Sequence, residues 1–235
     1  MPLTCCLLTN SNRLPDAGQA LRPLNVSDLR ETDESFACWI RDVCCLVQFR
    51  PEAGCGSVLE EAVPCHRAQL IIVLTDTGHA LHHDRSSNLR LALIMTGVLT
   101  QLCKHTDAVG ILWQEHLLHD MEMWDAWCSS KLPIPLWIEI VEDAEASGHP
   151  LKTIGLDFFR HCEVFLHSSR KADANLLGQF LGFLEYFITS DETLVEGNCF
   201  AFFSDESRYE QVEMLVTQVT CMSGENCEAH LELVE

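Results

Sequence analysis

The chain has 235 residues, of which 47% are hydrophobic, so it holds enough apolar mass for one large domain or two smaller units, and global disorder is excluded. Its 15 lysine and arginine residues are outnumbered by 35 aspartate and glutamate residues, which gives a net charge of −20. Such a charge repels nucleic acids and anionic membrane surfaces, and no apolar run reaches the roughly 18 residues that a membrane-spanning helix needs.

The first residues, MPLTCCLLTNSNR, predict no targeting signal. They lack a positively charged start, their apolar stretch is too short for a secretory signal, and Pro2 stands where N-myristoylation requires glycine. We therefore expect a cytoplasmic protein.

The thirteen cysteines are an odd number and contain no C-x-x-C spacing, so the usual zinc-finger pattern is missing. Cys5-Cys6 and Cys44-Cys45 are adjacent pairs, and because neighbours on a strand point to opposite faces, a disulfide within either pair is disfavoured. We expect reduced thiols that pack as small buried hydrophobes, which agrees with a reducing compartment.

Short apolar runs flanked by turn residues predict strands along the whole chain. They lie at Thr4–Thr9, Asp42–Phe49, Gln69–Thr75, Val109–Gln114, Leu136–Val141, Cys199–Phe203, Gln211–Thr220 and Cys227–Val234. The polar stretch Asn10–Ser35 predicts a loop that includes a helical turn. The segment Ser223–Asn226 predicts the turn of a terminal hairpin.

Two long apolar stretches follow helical spacing and predict helices over Ser87–Lys104 and Ala172–Thr189. A shorter helix is predicted over Met121–Ser129, with Asp120 as its N-terminal cap. Each long helix follows a strand and leads into another strand. This order predicts an α+β fold with mixed sheets and two long helices.

The order of the elements also suggests two related β-rich halves that share one core, although the sequence shows no clear repeat. We place an N-terminal α/β half at residues 1–132 and a C-terminal α+β half at residues 133–235.

Three short motifs lie in the second half. They are Pro135-Leu136-Trp137, then Thr153-Ile154-Gly155-Leu156 followed by Phe159 and Glu163-Val164, and finally Gly197 followed by Phe203-Ser204-Asp205-Glu206. With these motifs, residues 133–206 resemble the bacterial domain of unknown function 4261 family. Arg160, His161 and Cys162 depart from the family's glycine and proline before the glutamate. The resemblance implies a bacterial-type α+β module and no catalytic residues. By themselves, the two glycines suit positions where the backbone needs a positive φ or a close approach.

Two groups of histidines follow predicted strands. His79, His82 and His83 precede the first long helix, and His116 and His119 follow the next strand. If the two strands are parallel, both loops open at the same edge of the sheet, where imidazoles and a carboxylate could bind zinc or iron. No known metal signature is present, and histidines in solvent-exposed loops are the simpler interpretation. We therefore expect no metal and no other cofactor.

Common catalytic motifs are missing. The sequence contains no G-x-S-x-G, no phosphate-binding G-x-x-x-x-G-K-[ST] and no G-x-G-x-x-G. Cysteine and histidine are adjacent at Cys65-His66 and His161-Cys162, but on a strand their side chains point apart. No catalytic residue is predicted.

The acidic residues are concentrated at the C-terminus. Residues 191–235 carry eleven acids and a single base, Arg208, and we name Asp205 and Glu206 as interaction candidates. Trp124 and Trp127, three residues apart on one helix face, form either a partner-binding patch or part of the core.

These patterns predict a non-enzymatic, intracellular protein-binding module whose acidic surface engages a basic protein, such as an immunity protein that neutralises a basic toxin. The alternatives are a small metal-dependent hydrolase using the two histidine loops and a homo-oligomeric scaffold using the tryptophan face.

Overall fold

The computed structural model describes residues 2–51, 65–76, 85–143, 150–169, 173–190, 192–205, 208–221 and 227–234. The chain divides into two compact units, unit 1 (Met1–Trp137) and unit 2 (Ile138–Glu235). The fold is α+β with sheets as its main elements, in agreement with the predicted class.

Unit 1 contains a seven-stranded antiparallel sheet with the strand order β2-β3-β4-β5-β1-β6-β7. The strands are β1 (Leu3–Thr9), β2 (Ser27–Glu31), β3 (Ser35–Ile40), β4 (Val43–Arg50), β5 (Ala68–Asp76), β6 (Ala108–Trp113) and β7 (Leu117–His119), and the helices are α1 (Ala17–Ala20), α2 (Arg85–Cys103) and α3 (Met121–Trp127).

Helix α2 packs against β1 and β5 and buries one face of the sheet. Its stripe of buried side chains includes Leu91, Met95 and Val98, which recur at the helical period. Trp137 closes this core, because its ring stacks on Trp113 at 6.5 Å and its Nε1–H donates to Thr96 Oγ1 at 2.9 Å.

Unit 2 contains a six-stranded mixed sheet with the order β11-β12-β13-β10-β9-β8 and one long helix. The strands are β8 (Glu139–Glu142), β9 (Leu151–Ile154), β10 (Glu163–His167), β11 (Cys199–Asp205), β12 (Arg208–Cys221) and β13 (Cys227–Val234), and the helix is α4 (Ala174–Thr189). Strands β10 and β13 are parallel, and the other neighbours are antiparallel.

The apolar stripe of α4 forms the core of unit 2. The carboxylate of Asp173 caps the helix by accepting from the Leu176 backbone N–H at 2.8 Å. Phe183 of the helix meets Phe200 of β11 edge to face, with ring centroids 5.4 Å apart. The buried side of this sheet is therefore the side that α4 covers.

Two predicted elements differ from the structure, and strands β3, β7, β9 and β10 were not predicted. Asn10–Ser35 contains the expected helical turn, α1, but it also contains strand β2, which was not predicted because its side chains are exposed on both faces and show no apolar alternation. The strand predicted to begin at Leu136 begins at Glu139, because Pro133 and Pro135 set a 3-10 turn over Ile134–Leu136. The predicted turn at residues 223–226 lies outside the described residues.

The expectation of reduced thiols is wrong at one pair. Cys162 and Cys227 form a disulfide with their Cα atoms 4.5 Å apart, across the parallel neighbours β10 and β13. The sequence could not show this pairing, because 65 residues separate the two cysteines. Cys5, Cys38 and Cys45 lie outside this bond and are buried, as expected.

Within the residues that the structure describes, no helix has the length and apolarity to span a membrane.

Candidate functional site

Strands β5 and β6, which precede the two predicted groups of histidines in sequence, end on the same side of the unit 1 sheet. Strands β5 and β6 both pair antiparallel with β1, so they run parallel to each other with β1 between them. His116 lies in the turn after β6, is exposed, and has its Nδ1 2.9 Å from the carbonyl oxygen of Gln114. His79, His82 and His83 lie outside the described residues.

His119 does not belong to this loop edge. It is 3% exposed on β7, and its ring packs against Trp124 at 6.2 Å. Its Nε2 lies 3.1 Å from the carbonyl oxygen of Leu136, so this nitrogen carries the hydrogen, and burial lowers the pKa of the ring. His119 is therefore a core side chain, which corrects its prediction as a candidate ligand. The described ranges contain no group of three or more histidine, cysteine, aspartate or glutamate side chains placed to hold a metal ion.

The tryptophan pair of α3 is divided between core and surface. Trp124 is 0% exposed, so the prediction that it forms a partner-binding patch is wrong, and the core alternative is confirmed for this residue. Trp127 is partly exposed. The homo-oligomeric scaffold alternative required both tryptophans on one exposed helix face, and of the two only Trp127 is partly exposed.

Thr153, Gly155 and Glu163 form a clamp of hydrogen bonds at the turn between β9 and β10. The Glu163 carboxylate accepts from Thr153 Oγ1 at 2.7 Å and from the Gly155 backbone N–H at 2.8 Å. Burial raises the pKa of Glu163, and these two hydrogen bonds act in the opposite direction. Gly155 has φ 111°, a left-handed conformation that favours glycine. The clamp holds the turn between β9 and β10, so these residues support the fold rather than a reaction.

Glutamate and histidine side chains line the side of the unit 2 sheet that faces away from α4. Met214 is the register partner of Phe200, and Ala229 and Leu231 are buried with it on the helix side. Because side chains alternate along strands, Glu213, Glu228 and Glu232 of β12 and β13 point to the opposite side. We call this surface the acidic face and define it by these three glutamates together with His167 and His230.

The two histidines of the acidic face are in direct contact. His167 Nε2 lies 2.9 Å from His230 Nδ1, and the ring of Phe165 stacks on His230 at 4.9 Å. One hydrogen must lie between the two nitrogens, so one nitrogen donates while the other accepts. Burial is the main cause that lowers the pKa of His167, and the neighbouring His230 adds to it. His230 lies between Glu228 and Glu232 on β13, so the histidine pair lies among the glutamates of the acidic face.

One lysine of β9 lies on the same side of the sheet as the acidic face. Lys152 lies over the Phe165 ring with its Nζ 4.9 Å from the centroid. In sequence, unit 2 carries nineteen acidic and five basic residues, a net charge of −14, whereas unit 1 carries sixteen and ten, a net charge of −6. The excess of acidic residues therefore belongs mainly to the unit that presents the acidic face.

The predicted interaction residues Asp205 and Glu206 are only partly described. Asp205 ends β11, where its backbone pairs with Arg208, and its side chain lies outside the described part; Glu206 lies outside it altogether. The sequence analysis missed Glu213, Glu228, Glu232, His167 and His230 as site residues. The alternation of apolar and polar residues in Glu228–Leu233 was a usable signal for the exposed glutamates.

Comparison of the chain with protein-family models, with curated proteins and with solved structures gives no match.

Proposed function

We propose that this chain is a non-enzymatic protein-binding module that engages a basic protein through the acidic face of unit 2. The observation that carries the proposal is the placement of Glu213, Glu228 and Glu232 on one open side of the sheet in the unit with the larger negative charge. A surface of one sign steers an oppositely charged protein and disfavours nucleic acids and anionic membranes.

The shape of the acidic face supports a protein partner. Glu228 and Glu232 lie four residues apart on β13 with His230 between them, and Glu213 lies on the neighbouring strand β12, so the three carboxylates are spread over the surface of the sheet. Lysine and arginine side chains of a partner can reach carboxylates on such a surface. Asp205, which ends β11, and Glu206, which follows it in sequence, remain interaction candidates.

The resemblance to a bacterial family suggests one version of this function, in which the chain neutralises a basic toxin domain as an immunity protein does. A cytoplasmic location belongs to the same proposal. The metal-dependent hydrolase has less support, because His119 is committed to the core of unit 1.

The proposal is tested by affinity capture of the intact chain's partners from cells that produce it, followed by mass spectrometry. We expect one basic protein near one-to-one stoichiometry, and its recovery should fall strongly for the triple variant Glu213→Lys, Glu228→Lys, Glu232→Lys. The matched control, Glu34→Lys, Glu122→Lys, Asp125→Lys, makes the same change in net charge on exposed positions of unit 1. Equal loss with both variants would reject the acidic face as the binding surface.

The relation between the two halves is a further part of the proposal. Each unit has one sheet and one long helix, and each helix connects two parallel strands of its sheet, β5 to β6 and β10 to β11. Related halves that share one core should unfold in a single cooperative transition in calorimetry. Two separate transitions would contradict the shared core.

A further inference from the structure

His167 of β10 and His230 of β13 place two imidazole rings side by side on the open side of the unit 2 sheet. Because the two strands are parallel and Phe165 is the register partner of His230, His167 lies diagonally across from His230 on the same side of the sheet. His167 Nε2 and His230 Nδ1 are 2.9 Å apart, and the ring planes are within 24° of parallel. Two ring nitrogens therefore face each other across the width of one hydrogen bond.

The surroundings hold this histidine pair in place. The Phe165 ring stacks on His230 with the ring planes within 16° of parallel, and Phe165 itself is 7% exposed. In the lateral row Lys152–Phe165–His230, the phenyl ring lies between the Lys152 ammonium group and the imidazole. The nearby cation is thus separated from the imidazole by an aromatic ring.

Two glutamates flank the histidine pair. Glu228 and Glu232 lie two residues before and two residues after His230, on the same side of β13. Glu232 is also the register partner of His167, so it is a neighbour of both histidines. Within the described part of the chain no three such side chains already surround one point, but the Glu232 side chain is exposed and can rotate its carboxylate toward the pair.

We propose that the histidine pair binds a divalent late first-row transition-metal ion such as Zn²⁺, with Glu232 or water as further ligands. Zinc binds an imidazole nitrogen at about 2.0–2.1 Å, so two nitrogens in tetrahedral geometry are about 3.3 Å apart, close to the 2.9 Å of the pair. Imidazole donors favour such ions over Mg²⁺ and Ca²⁺, which prefer oxygen ligands. The two flanking carboxylates attract a dication.

The metal ion would replace the hydrogen that the two rings share. In the hydrogen bond, one ring nitrogen carries the hydrogen and the other offers a lone pair. A metal ion needs the lone pairs of both nitrogens, so the donating ring passes its hydrogen, through water, to its own second nitrogen, and two neutral rings release no proton. The ion is then bound by His167 Nε2 and His230 Nδ1. This site does not depend on the proposed basic partner.

The test is an NMR titration of the full chain, without an affinity tag and with isotope-labelled histidine, in which Zn²⁺ is the probe. Exposed thiols such as Cys65 and Cys199 are also zinc ligands, so the signals must be assigned to individual ring nitrogens. We expect the resonances of His167 Nε2 and His230 Nδ1 to change together as Zn²⁺ is added, while those of the exposed His116 stay constant. Mg²⁺ at the same concentration should change none of them.

A pair of variants tests whether the two rings act together. His167→Gln should weaken the binding of Zn²⁺ at His230 at least about tenfold, because the remaining imidazole binds without a second donor beside it. His116→Gln is the matched control and should keep the wild-type affinity. The proposal would be overturned by wild-type resonances of the histidine pair that do not respond to Zn²⁺, or by an equal affinity at His230 in His167→Gln and the wild type.

Discussion

In each unit, one titratable side chain makes hydrogen bonds inside the fold. His119 of unit 1 donates to Leu136, and Glu163 of unit 2 accepts from Thr153 and Gly155. Each is a titratable group whose neutral form burial favours. Their hydrogen bonds offset the cost of removing polar atoms from water, and their loss leaves that cost uncompensated.

The pKa of His119 predicts how the stability of unit 1 depends on pH. The ordinary pKa of 6.5 applies to the unfolded chain, and burial lowers the pKa in the folded chain, so the unfolded state binds the extra proton first. The contribution of this residue is therefore complete above about pH 6.5 and is lost as the pH falls through the lower, folded pKa. In urea unfolding, His119→Gln should lose less stability than the wild type between pH 7.5 and 5.0.

The control for this prediction is His116→Gln, a substitution of an exposed histidine in the same unit. This variant should keep the wild-type difference in unfolding free energy between pH 7.5 and 5.0. If His119→Gln showed the full wild-type difference as well, another group would be responsible for the pH dependence.

The hydrogen bonds of Glu163 predict that unit 2 becomes less stable when Thr153 loses its hydroxyl. Thr153→Val keeps the shape of the side chain but removes the hydroxyl that donates to the Glu163 carboxylate and accepts from the Val164 backbone N–H at 2.8 Å. We expect a loss of about 1–3 kcal/mol in the free energy of unfolding. Chemical denaturation measures it, and Thr193→Val, at an exposed position of unit 2, should change stability little.

At the scale of elements, an ion-pair network joins helix α2 to the strands beside it. Arg90 donates to both carboxylate oxygens of Asp42, at 2.8 and 2.7 Å, and also to Asp76. Asp42 precedes β4 and Asp76 ends β5, so a single guanidinium links the helix to two strand ends. The pKa of Arg90 is raised first by Asp42 and then by Asp76.

We predict that Arg90→Leu lowers stability by about 1–2 kcal/mol. The Asp42 side of the pair is well exposed and contributes little, whereas Asp76, with 6% of its side chain exposed, loses a charged partner that water cannot fully replace. Denaturation at low salt measures the effect. The control is Arg67→Leu, which removes an exposed arginine just before β5. An equal loss of stability in this variant would show that Arg90 contributes through its positive charge and not through its ion pairs.

The elements that the sequence predicts well are those with one buried face. Strands β4 and β5 and helices α2 and α4 show their periods directly in the spacing of apolar residues. Strand β2 has no such pattern, because its pairing with β3 rather than burial holds it in place. Gly197 has the positive φ predicted for its turn, whereas Gly155, which was predicted at a bulge or a close backbone approach, also has a positive φ.

The acidic face was only partly predictable for a related physical reason. The sequence shows the alternation along β13, but which side faces solvent depends on where α4 packs. The contact between His167 and His230 needs the parallel register of β10 and β13, which joins residues 63 positions apart. Local patterns carry no information on such long-range pairing.

At the scale of the whole molecule, the negative charge is concentrated in unit 2, which carries −14 of the net −20. The acidic face of unit 2 should bind a basic protein less tightly as the salt concentration rises, because salt screens the attraction between opposite charges.

The most direct test of the proposed function is the affinity for the captured basic partner as a function of NaCl concentration, measured by titration calorimetry. The account predicts that the dissociation constant of the wild type rises at least about tenfold between roughly 0.05 and 0.3 M salt. The triple variant Glu213→Lys, Glu228→Lys, Glu232→Lys should bind weakly throughout. An affinity that does not change with salt, or that the triple variant retains, would contradict the central claim.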